Sequence, residues 1–158
     1  MIWPLGRLPQ RSTALERIDS ADVTDVELSA LLDFHDTFSR WTFGRGVVLG
    51  FLGDASRRWT GPITILDMAC GRGDLSRSVA RWAKAAGADV RIHGVDRSAG
   101  VIQMAREHNR AFREITFETR DLNDPFFLQA QQFDYVVSER GLHREGDDRT
   151  ALFLKIAN

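Results

Sequence analysis

The chain has 158 residues, one cysteine and a formal net charge of −1 at neutral pH. That length suits one domain with a sizeable core, and the balanced charge makes no electrostatic case for a nucleic-acid partner. No apolar run reaches the length of a membrane span, and the single Cys70 excludes an internal disulfide and suits a reducing cytoplasm.

Taken in order, residues up to about Ala21 carry prolines and mixed charges and read as loosely ordered, with no continuous apolar segment of the signal-peptide kind. Thr24 and Glu27 have the spacing of a capping box. Leu28, Leu31, Leu32, His35 and Phe38 then recur at helical spacing, with His35 on or beside the apolar face as a packed histidine. Gly44 and Gly46 are expected to break this helix near Trp41. A second apolar segment follows at 47–52, and 53–62 reads as the linker into a sheet. The expected division is 1–53 for the tail and N-terminal helices and 54–158 for the core.

The stretch 63–76 organises the rest. The apolar run Ile63, Thr64, Ile65, Leu66 stops at Asp67, a turn with Gly71 and Gly73 follows, and a helical pattern starts at Asp74 or Leu75. A strand, turn and helix of this kind aim backbone N–H groups and a helix N-terminus at a ligand beyond a buried strand. An acid ending the strand is poorly placed in a core but well placed to meet a ligand's hydroxyl or amino group. Cys70 reads as a small space-filling residue in the turn rather than a reactive nucleophile. Leu75, Val79, Trp82, Ala83 and Ala86 mark a helix that Gly87 can close. Strands are expected at 90–95, ending at Asp96, at 115–119, ending near Asp121, and at 133–138. Ser98 can cap the helix between the first two of these, with Val101, Ile102, Ala105 and Phe112 inward. A short helix is expected from Asn123 and Pro125, and a last one from Asp147 or Asp148 through Leu152, Phe153 and Ile156. His93, within a strand, and His108, on a helix, read as structural. The alternation argues a parallel α/β sheet with right-handed crossovers.

Ligands of such sheets bind beyond the carboxyl ends of the strands. Asp67, Asp96 and Asp121 all fall there, and Asp96 lies 23 residues after Gly73, near the spacing at which an acid binds ribose hydroxyls in nucleotide folds. Two nucleotide readings compete at the glycine turn. The dinucleotide fingerprint requires Gly or Ala where Ser76 stands and has no role for Asp67. The run from Leu66 to Gly73 instead resembles the first motif of the class I S-adenosylmethionine-dependent methyltransferases, an acid followed by Gly-x-Gly-x-Gly, with Ala69 in place of the first glycine. The resemblance extends over 63–138, roughly half of the chain.

The resemblance implies a Rossmann-like parallel sheet in the order 3-2-1-4, with helices on both faces and N-terminal lid helices, and S-adenosylmethionine as cofactor. Asp67 and the backbone of Ala69, Cys70, Gly71 and Gly73 would hold the methionine part. Asp96 would bind the ribose, Arg97 would lie beside the adenine, and Asp121, followed by Leu122, would receive the adenine amino group. Ser138 would stand near the reacting methyl. Trp41 and Arg45 are weaker candidates for closing over the cofactor, with packing and solvation as the plainer reading. The implied activity is methyl transfer to a small-molecule acceptor, with neither nucleic acid nor membrane as partner. An oxygen acceptor calls for a base, and His143 lies in the right region for one, although a packing histidine is the plainer reading. A nicotinamide-dependent oxidoreductase and an inactive cofactor-binding fragment remain as alternatives. Four strands can be placed where the family has seven, and two further units would take roughly 60 residues. The expectation is therefore a domain truncated at its C-terminus. Its fourth strand would be an open edge favouring self-association, with weak cofactor binding and poor turnover unless the sheet is completed.

Overall fold

Short runs rich in Ile, Val and Thr form the strands. Ile63–Met68 (β1), Val90–Asp96 (β2), Ile115–Thr119 (β3) and Tyr135–Val137 (β4) pair in parallel in the order β3-β2-β1-β4. The structure, a computed structural model, describes residues 22–41, 44–122, 124 and 132–139. Ile65 of β1 is in register with Ile92 of β2 and Tyr135 of β4, and Ile92 with Ile115 of β3. Parallel neighbours require crossovers, supplied here by α3 (Asp74–Ala86) and α4 (Ala99–His108). The chain steps outward from β1 to β2 to β3, then returns to the other side of β1 for β4. The order therefore reverses between β1 and β4, which is the topological switch point where ligands bind in such sheets.

The central strand is buried on both faces, as a near-continuous apolar run predicts. On one face Ile65 and Ile92 pack with Val79, Ala80 and Ala83 of α3 and with Ile102 and Ala105 of α4. On the other, Leu66, Met68, Val95 and Leu122 form a second cluster, flanked by Phe133 and Val136. Gly87 ends α3 as foreseen: at φ 70° it turns the chain, its N–H meets the Lys84 carbonyl, and the Ala88 N–H reaches the Ala83 carbonyl at 2.9 Å. Ser98 caps α4 by accepting from the Val101 N–H.

Two helices precede the sheet, α1 (Asp25–Trp41) and α2 (Gly44–Ser56). The capping box at the start of α1 is reciprocal, with the Thr24 N–H donating to Glu27 and the Glu27 N–H donating to Thr24 Oγ1. Leu28 and Leu32 seat α1 against Val101 and Met104 of α4.

Three sequence expectations about boundaries are corrected. The chain does break after Trp41, but Gly46 lies inside α2 and does not help to end α1. The segment expected as a linker from Gly53 begins as helix, because α2 runs to Ser56 with Leu52 fully buried and the bare side of Gly53 facing the Trp82 indole. The fourth strand, Tyr135–Val137, is shorter than 133–138; Asp134 still meets β1, its N–H donating to the Thr64 carbonyl at 3.0 Å while its carboxylate accepts from the Thr64 N–H and hydroxyl. The short helix expected to start at 123–125 falls, apart from Asp124, outside the described residues, as do the last helix and the N-terminal tail.

Candidate functional site

The chain leaves β1 through three backbone positions in the left-handed region: Ala69 at φ 53°, Gly71 at φ 54° and Gly73 at φ 76°. The Cys70 N–H donates to the Val95 carbonyl of β2, and the Gly73 N–H closes back on the Cys70 carbonyl, each at 2.9 Å. Asp96, at the end of β2, ties the turn to its neighbour strand. One of its carboxylate oxygens accepts from the Gly71 N–H and the other from the Ser98 N–H, both at 3.1 Å. A carboxylate has about four acceptor positions, so Asp96 anchors the turn and keeps capacity for a ligand diol.

The two glycines do different work. A Cβ on Gly71 would meet Leu32 Cδ2 of α1 at 3.8 Å and otherwise face open space, which suits a backbone approached by a ligand. A Cβ on Gly73 would stand 2.5 Å from the Phe117 ring and 2.8 Å from the Asn109 amide. The bare side of Gly73 is thus taken up by packing under the turn. Asn109, buried at the end of α4, supports the same turn by donating to the Arg72 carbonyl at 3.0 Å. The sequence reading missed Asn109, which carries no local signal of that role.

Asp67 is 1% exposed and accepts a 2.6 Å hydrogen bond from the Ser76 hydroxyl. Burial pushes its carboxyl up to about 7; the Ser76 bond works against that rise, and the nearby charge of Glu139 adds to it. In this structure Asp67 braces the turn from within. Ser76, noted in the sequence for breaking the dinucleotide fingerprint, is its donor. The Cys70 thiol is buried, and burial raises its pKa well above the ordinary range, so it is no ready nucleophile.

Helix α1 crosses above this turn and is tied down by two arginines. Arg72, inside the turn, meets Asp33 at 2.6 Å and also Asp74. Burial works against the Arg72 charge, but the two carboxylates more than offset it and raise its pKa. Arg45 of α2 meets Asp36 at 2.8 Å and approaches Glu139, just beyond β4, at 3.7 Å. Arg45 is therefore an ion-pair centre between α1 and the end of β4, whereas Trp41 is largely exposed. Arg97 and Asp121 are exposed beyond β2 and β3, Leu122 is buried against Leu66 and Met68, and Ser138 is half-buried beyond β4. The fold thus brings Asp67, Ala69, Gly71, Asp96 and Ser138 to one end of the sheet. His143 lies outside the described residues. An open cavity of about 450 Å³ lined by Trp59, Pro62, Ala88 and Asp89 lies at the opposite, amino-terminal end of β1 and β2.

Two outward crossovers, a return strand at a switch point, a glycine turn after β1 and an acid closing β2 define the Rossmann-like fold of the class I S-adenosylmethionine-dependent methyltransferases. The chain belongs to the methyltransferase domain family, whose sequence pattern matches residues 61–154, and the methyl donor of that family is S-adenosylmethionine. No curated protein matches the chain. Among solved structures it is similar to a Listeria monocytogenes protein described as a class I S-adenosylmethionine-dependent methyltransferase, at 26% identity and a TM-score of 0.50, covering 60% of this chain and 29% of that one. The complex between the Haloferax volcanii Trm112 methyltransferase activator and a methyltransferase gives a TM-score of 0.57 at 20% identity, covering 80% and 52%. The CurJ carbon methyltransferase gives 0.55 at 17% identity, covering 63% and 27%. The chain spans about a quarter to a half of the length of the solved structures it matches. Among the described residues, no helix is long and apolar enough to cross a membrane.

Proposed function

We propose that this chain binds S-adenosylmethionine across the carboxyl ends of its strands and transfers methyl to a small-molecule acceptor. The observation that carries the reading is the Asp96 carboxylate at the end of β2, holding the Gly71 amide while its remaining acceptor positions suit the two hydroxyls of a ribose. On this reading Asp121 and Arg97 flank the adenine with Leu122 beneath, and Asp67 with the backbone from Ala69 to Gly73 serves the methionine part. Ser138 lies toward the acceptor. The bound cofactor supplies an electrophilic methyl on a sulfonium, so the residues mainly orient the acceptor and exclude water. Leu32 of α1, lying over Gly71, serves that exclusion. Oxygen is the acceptor atom we favour, with His143 as the group that takes its proton.

Calorimetry with S-adenosylhomocysteine tests the cofactor assignment. Asp96→Ala should weaken binding by about 1.5–3 kcal/mol, the scale of hydrogen bonds to a charged group, and unchanged affinity would remove Asp96 from the site. A rise in melting temperature with NAD in place of S-adenosylhomocysteine would favour an oxidoreductase. Labelled-methyl turnover against phenols, carboxylic acids and enolisable carbon acids tests the acceptor atom, and activity confined to the carbon acids would reject oxygen.

A further inference from the structure

We propose that the cavity at the amino-terminal ends of β1 and β2 is a binding site for a small organic ammonium ion, recognised by the Trp59 indole and the Asp89 carboxylate. This end of the sheet lies the whole length of β1 from the glycine turn, roughly 17 Å for six residues of strand, and the inference does not depend on the cofactor. The cavity holds about 450 Å³, within the range of small-molecule sites. Two connections frame it. Trp59 and Pro62 lie between α2 and β1, and Ala88 and Asp89 lie between α3 and β2. The Ile63 N–H donates to the Asp89 carbonyl at 3.0 Å and ties the two together through the backbone.

The electrostatics of the lining favour a cation. Among the described residues that line the cavity, Asp89 alone is charged. It is exposed, and its carboxylate makes no hydrogen bond or ion pair with another described residue. Helix α2 ends at Ser56 and α3 at Ala86, both in the lining, so the partial negative charge of two helix C-termini falls at the same space. Arg57, the nearest cation along the chain, is paired with Asp54 at 3.3 Å. Trp59 supplies a π surface that is fixed in advance. Its indole N–H donates to the Tyr135 hydroxyl at 2.8 Å, and its ring meets Trp82 edge-on at 5.9 Å. An indole beside a carboxylate attracts an ammonium ion, and the apolar surfaces of Pro62 and Ala88 suit one that carries alkyl groups. A hard metal ion would need several oxygen ligands, and no group of three or more metal-ligating side chains occurs among the described residues.

NMR titration at low ionic strength, where exposed charges are least screened, tests the proposal with two probes: choline, and its uncharged isostere in which carbon replaces the ammonium nitrogen. Choline should shift the Trp59 indole N–H and the Asp89 amide saturably, and the isostere should bind roughly tenfold more weakly. Asp89→Asn is an exposed change that keeps the backbone tie to Ile63. It should weaken choline about three- to fivefold and leave the isostere unchanged. Trp59→Leu should weaken both probes, but Trp59 also packs on Trp82, so Asp89→Asn is the deciding variant. Equal affinities for the two probes would make the cavity a merely apolar hollow and overturn the proposal. So would unchanged choline affinity in Asp89→Asn, an absence of shifts, or shifts centred on Gly71 and Asp96 at the other end of the sheet.

Discussion

Ala69 sits at φ 53°, where a side chain is crowded against the backbone and the family's motif has glycine. That conformation costs an L-residue about 1–2 kcal/mol, while glycine adds entropy to the unfolded chain worth about 0.4–1 kcal/mol. Ala69→Gly should therefore stabilise the chain by about 0.5–1 kcal/mol, read as a higher urea midpoint at constant slope; a loss of stability would mean that the methyl group packs favourably enough to outweigh the strain. Asp67 makes the second residue-scale prediction. Its carboxyl rises from 3.8 in the unfolded chain to about 7 in the fold, chiefly through burial. The folded state then holds a proton that the unfolded state releases, so this contribution to stability is complete below pH 3.8 and is lost as pH rises through 7. Urea titrations from pH 4 to 8 should show wild-type stability falling relative to Asp67→Asn, which carries no such proton. Parallel profiles would place the shift elsewhere.

At the scale of elements, the two arginine contacts to α1 are unequal. Asp33 is 64% exposed beside Arg72, whereas Asp36 and Arg45 are 10% and 13% exposed. Solvent screens the first pair, so Asp33→Ala should cost under about 1 kcal/mol. Asp36→Ala leaves a largely buried guanidinium with its longer contact to Glu139 and should cost roughly 1–3 kcal/mol. Amide exchange in α1 should speed up in the second variant more than in the first, and the reverse order would make Arg72 the main tie. Phe117 shows a different kind of element-level fit. Its ring lies in the hollow left by both Gly73 of the turn and Gly94 of β2, where a Cβ would come within 2.7 Å. The third strand thus helps to fix the glycine turn from beneath.

For the whole molecule, the decisive feature is the reversal of strand order beside β1. It brings the turn, the end of β2 and the end of β4 to one end of the sheet, where ligands of such folds bind. A ligand that binds the folded chain alone stabilises it by about 2.7 kcal/mol at 100 times its dissociation constant. S-adenosylhomocysteine should give the wild-type chain a stabilisation of that size. Gly71→Val should abolish it while leaving most of the helical circular dichroism, because a β-branched side chain cannot easily follow φ 54° and would stand where the ligand approaches. Persistence of the ligand effect in that variant would show that the turn is not the cradle.

Local chemistry made much of this legible in advance. The capping box at Thr24, the Ser98 cap, the Gly87 stop and the acids at the ends of β1 and β2 each depend on residues a few positions apart, and the sequence by itself determined them. It also determined the alternation of strand and helix, since apolar spacing differs between the two. Element ends were less legible where a distant partner decides them: the last turn of α2 is helical with Leu52 in the core, and Asp134, just before β4, is clamped to Thr64 of β1. The same holds at the site. Ser76 under Asp67, Asn109 under the turn, Phe117 against two glycines and Arg45 between Asp36 and Glu139 join residues from separate elements. Nothing in local spacing encodes those meetings, because they arise only when parallel pairing brings the strand ends together, and that was decided by the tertiary structure alone.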